Sequence, residues 1–167
     1  MLLCNRRTLV LGALSALAGC GFEPAFGPGG PASKLQGRVR VDDPVGRPAY
    51  LLTREIEDRL GIAPPEGAGG VYGLGYSVLV DEQAVAISSD NVAQRFNLVG
   101  SVTYALRDLD STAVLVTGQA GHFTSYSASG TPVATQAAAR DAEERLMVIL
   151  ADQIVTRLIA ESSALPV

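Results

Sequence analysis

The most distinctive chemistry in this chain belongs to Cys20, the last residue of Leu17-Ala18-Gly19-Cys20. Leucine three places before a cysteine, with small residues between, is the pattern in which the thiol takes up a diacylglycerol. The chain is then cut ahead of the cysteine and the freed amine is acylated. The preceding residues supply the context this needs. Arg6 and Arg7 make a positive start, and Thr8 to Ala18 form an uncharged apolar run. That is a secretory leader, too short to be a comfortable transmembrane helix. Residues 1–19 are expected to be a lipoprotein signal peptide, with Cys20 as lipid attachment site. Its diacylglycerol and N-acyl chain would be the only added groups, with no other cofactor. A single acyl chain binds a bilayer marginally, at about 0.8 kcal/mol per buried CH₂, whereas two or three hold for good. Gly21 stands where an aspartate would signal inner-membrane retention, so the expected destination is the outer membrane, facing the periplasm. Arg6-Arg7-Thr8-Leu9-Val10 also resembles a twin-arginine export motif, but an ordinary basic leader that holds two arginines explains it better.

No other residues form a constellation for catalysis. His122 is the only histidine. Ser125, Ser127 and Ser129 follow it but alternate along an extended stretch and lack a nucleophile elbow. Asp42-Asp43 precede a proline, and no further acids follow at the spacing of a calcium loop. No His/Cys cluster has metal-ligand spacing. Gly73-x-Gly75 is not followed by a helix, so it implies no phosphate cradle. Glu143-Glu144 read as a solvated helix face. The whole chain carries a formal charge of −4, and the leader holds two arginines and no acid, so the remainder is more acidic still. Such a domain is a poor partner for nucleic acid. Cys4 leaves with the leader and Cys20 is consumed, so no disulfide is expected and the core alone must hold the fold. These residues point to a binding or structural protein and away from an enzyme.

The elements that would carry such a surface can be read in order. Gly21 to Pro31, rich in Gly and Pro, is expected to belong to a lipidated tether over 20–35. Residues 36–42 alternate as a short strand. Pro48 opens a helix to Leu60 with Leu52, Ile56 and Leu60 on one face and Arg54/Asp58 and Glu55/Arg59 as ion pairs. Gly61 closes it, and 63–70 is a loop. Strands are predicted over 71–87, 93–107 and 113–127, with turns at 88–91 and 108–111. Tyr72, Leu74, Tyr76, Val78 and Val80 share one face of the first. Phe96, Leu98, Val102, Tyr104 and Leu106 share one face of the second, leaving Arg95, Asn97, Ser101, Thr103 and Arg107 on the other. Gly100 interrupts the apolar face and suggests a bulge or twist. Thr131 caps a long helix to about Ala160, with Ala134, Ala138 and Ala142 slim enough to approach a sheet. The tail 161–167 has no pattern. The order β-α-β-β-β-α predicts an α+β two-layer sandwich over 36–160: a four-stranded mixed sheet with two helices on one face. Strand order stays open.

Several short motifs then resemble the LptE family of lipopolysaccharide-assembly lipoproteins, in particular its alphaproteobacterial branch. They are Cys20-Gly21-Phe22-x-Pro24, Phe123-Thr124-Ser125-Tyr126, and Ala134-Thr135, Ala138, Asp141-Ala142 and Arg145-Leu146. The resemblance implies a plug and assembly factor for the outer-membrane β-barrel LptD, with lipopolysaccharide as a possible ligand. Some members meet lipid A phosphates with basic residues at a hairpin tip and early in the last helix. Here the tip is Ser88-Ser89-Asp90-Asn91 and the helix start carries Gln136, so Arg95 and Arg140 are the nearest cationic candidates. Two other readings stay open: a lipid-anchored regulator of a peptidoglycan synthase or transporter, and a lipid-anchored hydrolase using His122.

Overall fold

The computed structural model describes residues 24–27, 29–63, 70–87, 93–128 and 130–165. The leader, Cys20 and the turn over 88–91 lie outside these residues. A 3₁₀ turn (Pro31–Lys34) precedes β1 (Val39–Val41), α1 (Arg47–Leu60), β2 (Tyr72–Ile87), β3 (Ala93–Asp108), β4 (Val114–Ser127) and α2 (Pro132–Glu161). A second 3₁₀ turn (Ser162–Ala164) ends the described chain. The expected β-α-β-β-β-α sandwich is present.

The sheet runs β1-β2-β3-β4. β1 pairs parallel with the start of β2, Val39 opposite Tyr72 and Val41 opposite Leu74. The other pairs are antiparallel, in register from Tyr72↔Asp108 and Arg95↔Ser127. Strict alternation then sends even-numbered residues of β2, β3 and β4 to one face. Tyr72, Leu74, Val102, Tyr104, Leu106, Val116 and Ala120 are buried there, beneath Leu52, Ile56 and Leu60 of α1 and Leu146, Leu150, Ile154 and Leu158 of α2. α2 is buried along a double-width stripe, including Met147, Ala151 and Val155, because it packs on both β4 and α1. Tyr76 donates a hydrogen bond to the Ala49 carbonyl (3.0 Å) and shares another with Thr53 Oγ1 (2.6 Å), which ties the sheet to α1.

Several expectations change. The tether over 20–35 does not reach Leu35: Ala32 and Leu35 are wholly buried, so the folded unit begins before residue 36. The tail is not patternless either, since Ser162 and Leu165 are buried and the unit extends past residue 160. The first strand is shorter than 36–42, as its pairing spans only Val39–Val41. Of the three alanines, Ala134 is exposed, Ala138 packs partly against the core and Ala142 is wholly buried, so α2 approaches the sheet as expected except over its first turn. Gly100 marks no bulge: the register is unbroken there, and a Cβ would stand 2.9 Å from Leu146 Cδ2 and Leu150 Cδ1. It lets α2 lie close to β3. The register slips elsewhere, between Ala84 and Ala86 and at Leu106/Arg107.

The charged surface also differs. Glu143 and Glu144 are not merely solvated; Arg47 bridges both, at 2.7 and 2.9 Å, from α1 to α2. Arg59 pairs with Glu55 as expected and also reaches Asp152 of α2 at 2.6 Å. Arg54 turns to Glu55 rather than to Asp58. Asp141 and Arg145 pair one turn apart along α2. Most of these pairs are solvent-accessible, so screening leaves each worth little and they set the helix register more than the stability.

Candidate functional site

The odd-numbered residues of β2, β3 and β4 form the second face, which no described element covers. Its centre is apolar. Leu79 and Phe123 are 67% and 57% exposed, and Val99 lies opposite Phe123 across the β3–β4 ladder. Around them are Ser77, Ser101, Thr103, Gln119 and Gly121. Arg107 closes one end, hydrogen-bonded to Asp42 at 2.9 Å. Arg95 stands exposed at the other, opposite Ser127. The face expected to carry Arg95, Asn97, Ser101, Thr103 and Arg107 is thus the open one.

The sheet's far end, where β2 runs into β3, is built differently. Tyr126 stacks on Phe96 at 5.4 Å and donates a hydrogen bond to Glu82 Oε2 at 2.8 Å, reaching across β3. Above it the exposed first turn of α2 starts at Thr131, whose hydroxyl accepts from the Ala134 amide at 3.3 Å. A groove of about 630 Å³ lies between, lined by Tyr126, Pro132, Val133, Gln136 and Ala139. The Tyr126–Glu82 pair was not among the residues singled out from sequence. Its signal is parity: continuing the period-2 pattern past Val80 places Glu82 on the same face as Phe96 and Tyr126.

Burial, and next the Glu82 carboxylate beside it, push the Tyr126 hydroxyl up to about 12. The folded value lies above the unfolded one near 10, so its contribution to stability is whole below pH 10. It is lost as pH rises through 12, because the unfolded chain then gives up a proton the folded chain retains. Ultraviolet titration of tyrosinate should show a transition near 12. Tyr126→Phe should remove that transition and flatten the fall in melting temperature above pH 10. A transition that survives the substitution assigns it to another tyrosine.

The predicted site residues are not assembled into one centre. Arg95 is on the open sheet face, while Arg140 is exposed on α2, which backs the opposite face. His122 is exposed beside Phe123, with ring centres 5.9 Å apart. It shares the helix-side parity with Gly100, so alternation turns Ser125 and Ser127 to the other face and no nucleophile–base pair forms. The Ser127 hydroxyl instead donates to the Gln94 carbonyl at 3.3 Å. Asp42 is engaged by Arg107. Among the described residues no three His, Cys, Asp or Glu side chains stand close enough to share a metal ion, and no helix is long and apolar enough to cross a membrane.

Known structures share this architecture. A lipoprotein of Caulobacter crescentus, solved by crystallography, is 29% identical, with a TM-score of 0.67 over 83% of this chain and all of that one. Rare lipoprotein B of Shewanella oneidensis is 13% identical, with a TM-score of 0.55 over 75% of this chain and 94% of that one. Lipoprotein B of Nitrosomonas europaea is 15% identical, with a TM-score of 0.57 over 75% and 83%. The last two show the fold alone. No curated protein matches. The family model described as LptE, lipopolysaccharide-assembly, matches residues 37–158, well over half of the chain.

Proposed function

The chain belongs to the LptE family of lipopolysaccharide-assembly lipoproteins, which is not catalytic, and on that premise we propose that it acts with an LptD-type β-barrel as plug and assembly factor. It would work at the outer membrane, lipid-anchored through Cys20 and facing the periplasm, in the delivery of lipopolysaccharide to the outer leaflet. The observation that carries this reading is the uncovered sheet face. Strands of 14 and 16 residues present a continuous surface with an apolar centre at Leu79, Val99 and Phe123 and a polar surround. Exposed apolar area of this kind, rimmed by polar residues, favours a protein partner. Affinity-tagged protein extracted in mild detergent should bring down one large outer-membrane barrel, and its depletion should leave that barrel misassembled and lipopolysaccharide retained at the inner membrane. A preparation with no barrel, or one that brings down cell-wall synthases or an ABC permease, overturns the reading.

Lipopolysaccharide contact through Arg95 and Arg140 belongs to the same proposal. The two stand on different layers, so each would meet a phosphate alone and not as a shared grip. An exposed charge-assisted hydrogen bond is worth about 1 kcal/mol, or roughly fivefold in Kd. Arg95→Ala and Arg140→Ala should each weaken lipopolysaccharide binding by about that factor, and the double variant should multiply them. Unchanged binding in the double variant removes both residues from the proposal.

A further inference from the structure

The described residues ahead of the family-matched region do not hang free. Ala25 accepts a hydrogen bond from the Ala32 amide (3.0 Å), and Gly27 accepts one from Gly30 (2.9 Å), so Pro24 to Ala32 is folded back on itself. Ala32 and Leu35 are wholly buried in the core. The chain's last described turn locks this stalk. The Ser162 hydroxyl, itself wholly buried, lies 2.8 Å from the Pro31 carbonyl and 2.7 Å from that of Ile159. Lys34 Nζ donates to the Leu165 carbonyl at 3.2 Å, and Leu165 is buried. The next residues are fixed too, since the Gly37 amide donates to the Leu60 carbonyl at 2.7 Å. Both halves of this clasp lie outside the 37–158 match.

This sets the length of the leash. Only four peptide links separate Cys20 from Pro24. At about 3.3–3.6 Å per residue they span no more than about 14 Å in any conformation. A strand of 16 residues spans roughly 50 Å at about 3.3 Å per residue, so the far end of β2 lies well beyond the leash. The clasped end also carries two large apolar side chains in solvent, Phe26 at 54% and Ile62 at 77% exposure. Exposed apolar side chains at the end nearest an acyl anchor suit the interface of a bilayer.

We propose that the clasp of Pro24–Leu35 with Ser162–Leu165 is a rigid foot that seats this end of the domain, through Phe26 and Ile62, on the lipid surface. The far end, with Tyr126 and the start of α2, is thereby held away from that surface. The inference rests on acylation of Cys20 in the proposed function. It adds that the domain has a fixed orientation rather than swinging on a tether.

The test uses full-length protein, processed in cells, purified and reconstituted into phosphatidylethanolamine–phosphatidylglycerol vesicles. With no other cysteine left in the mature chain, Gln36→Cys and Val133→Cys provide single labelling sites. Both positions are exposed and neither is one of the seating side chains, so neither change disturbs the core or the foot. A bimane on each is quenched by nitroxide-labelled lipid. Quenching at position 36 should exceed that at 133 by at least threefold. Eight Gly-Ser residues inserted after Glu23 should bring 36 down to the level of 133. Equal quenching at the two sites, or quenching at 36 that ignores the insertion, overturns the foot. The mass of the Cys20 peptide is read first: an unacylated cysteine overturns the anchored reading and this inference with it. An acylated one with equal quenching overturns this inference alone.

Discussion

Cys20→Ala should abolish lipid attachment completely while leaving the folded domain as stable as before. A thioether to diacylglycerol needs the sulfur, and alanine offers no nucleophile in its place. In the processing read from Leu17-Ala18-Gly19-Cys20, cleavage follows modification, so the leader would remain attached. Labelled palmitate incorporation should fall to background, and the mass of the chain should rise by that of the leader less the acyl groups. The domain itself should not notice. Cys20 precedes every described residue, and the core is closed by Ala32, Leu35 and the two helices. The melting temperature of the variant's soluble domain should therefore match the parent within experimental scatter. The functional loss should be large, because two or three acyl chains hold for good what one holds only marginally. Palmitate uptake by the variant would remove Cys20 as the attachment site, and normal barrel assembly without an anchor would separate anchoring from function.

The parts of this protein that could be read from sequence are those written locally. Period-2 alternation placed Leu98, Val102, Tyr104 and Leu106 inside and Ser101 and Thr103 outside, because register fixes the face of every residue in a strand at once. Thr131-Pro132 marked the start of α2 through a cap that spans only three residues. The main misreadings concern partners far away in the chain. Glu143 and Glu144 looked solvated because Arg47 is nearly a hundred residues distant. Pro31 to Leu35 looked like tether because Gly and Pro announce turns without saying what the turns pack on; Ser162, 131 residues away, decides that. Gly100 looked like a bulge because a missing side chain in a strand has two explanations, and only the position of Leu146 and Leu150 chooses between them. Charge and small size are signals of a partner that carry no address. The open face could be listed residue by residue, because alternation alone separates it from the helix-covered one.

The sharpest test of the two-faced sheet sets two glycines of β4 against each other. Gly118 has the inner parity and Gly121 the outer. Tyr104 lies opposite Gly118, and its ring folds down over the bare backbone: a Cβ there would meet the Tyr104 hydroxyl and stand 2.6 Å from Cζ and 3.1 Å from Cε1. An aromatic ring covering a cross-strand glycine is a known device for a sheet that cannot fill the position otherwise. The ring has little room to retreat, since Tyr104 is 2% exposed and packed in the core. At Gly121 the nearest atom to a Cβ is the Gly100 carbonyl oxygen at 3.8 Å, an ordinary contact. Both substitutions to alanine restrict the unfolded chain equally, which favours folding by about 0.4–1 kcal/mol where the site accepts the methyl. Gly121→Ala should thus be neutral or slightly stabilising. Gly118→Ala should cost about 1–3 kcal/mol, the range for forcing an extra carbon into a packed core. Urea unfolding curves with equal slopes should separate the two midpoints in that order. If Gly118→Ala is tolerated as well as Gly121→Ala, the Tyr104 ring is free to move and the inner face is looser than its burial implies. In that event Tyr104→Leu should be nearly silent too, whereas a ring wedged on Gly118 makes it costly.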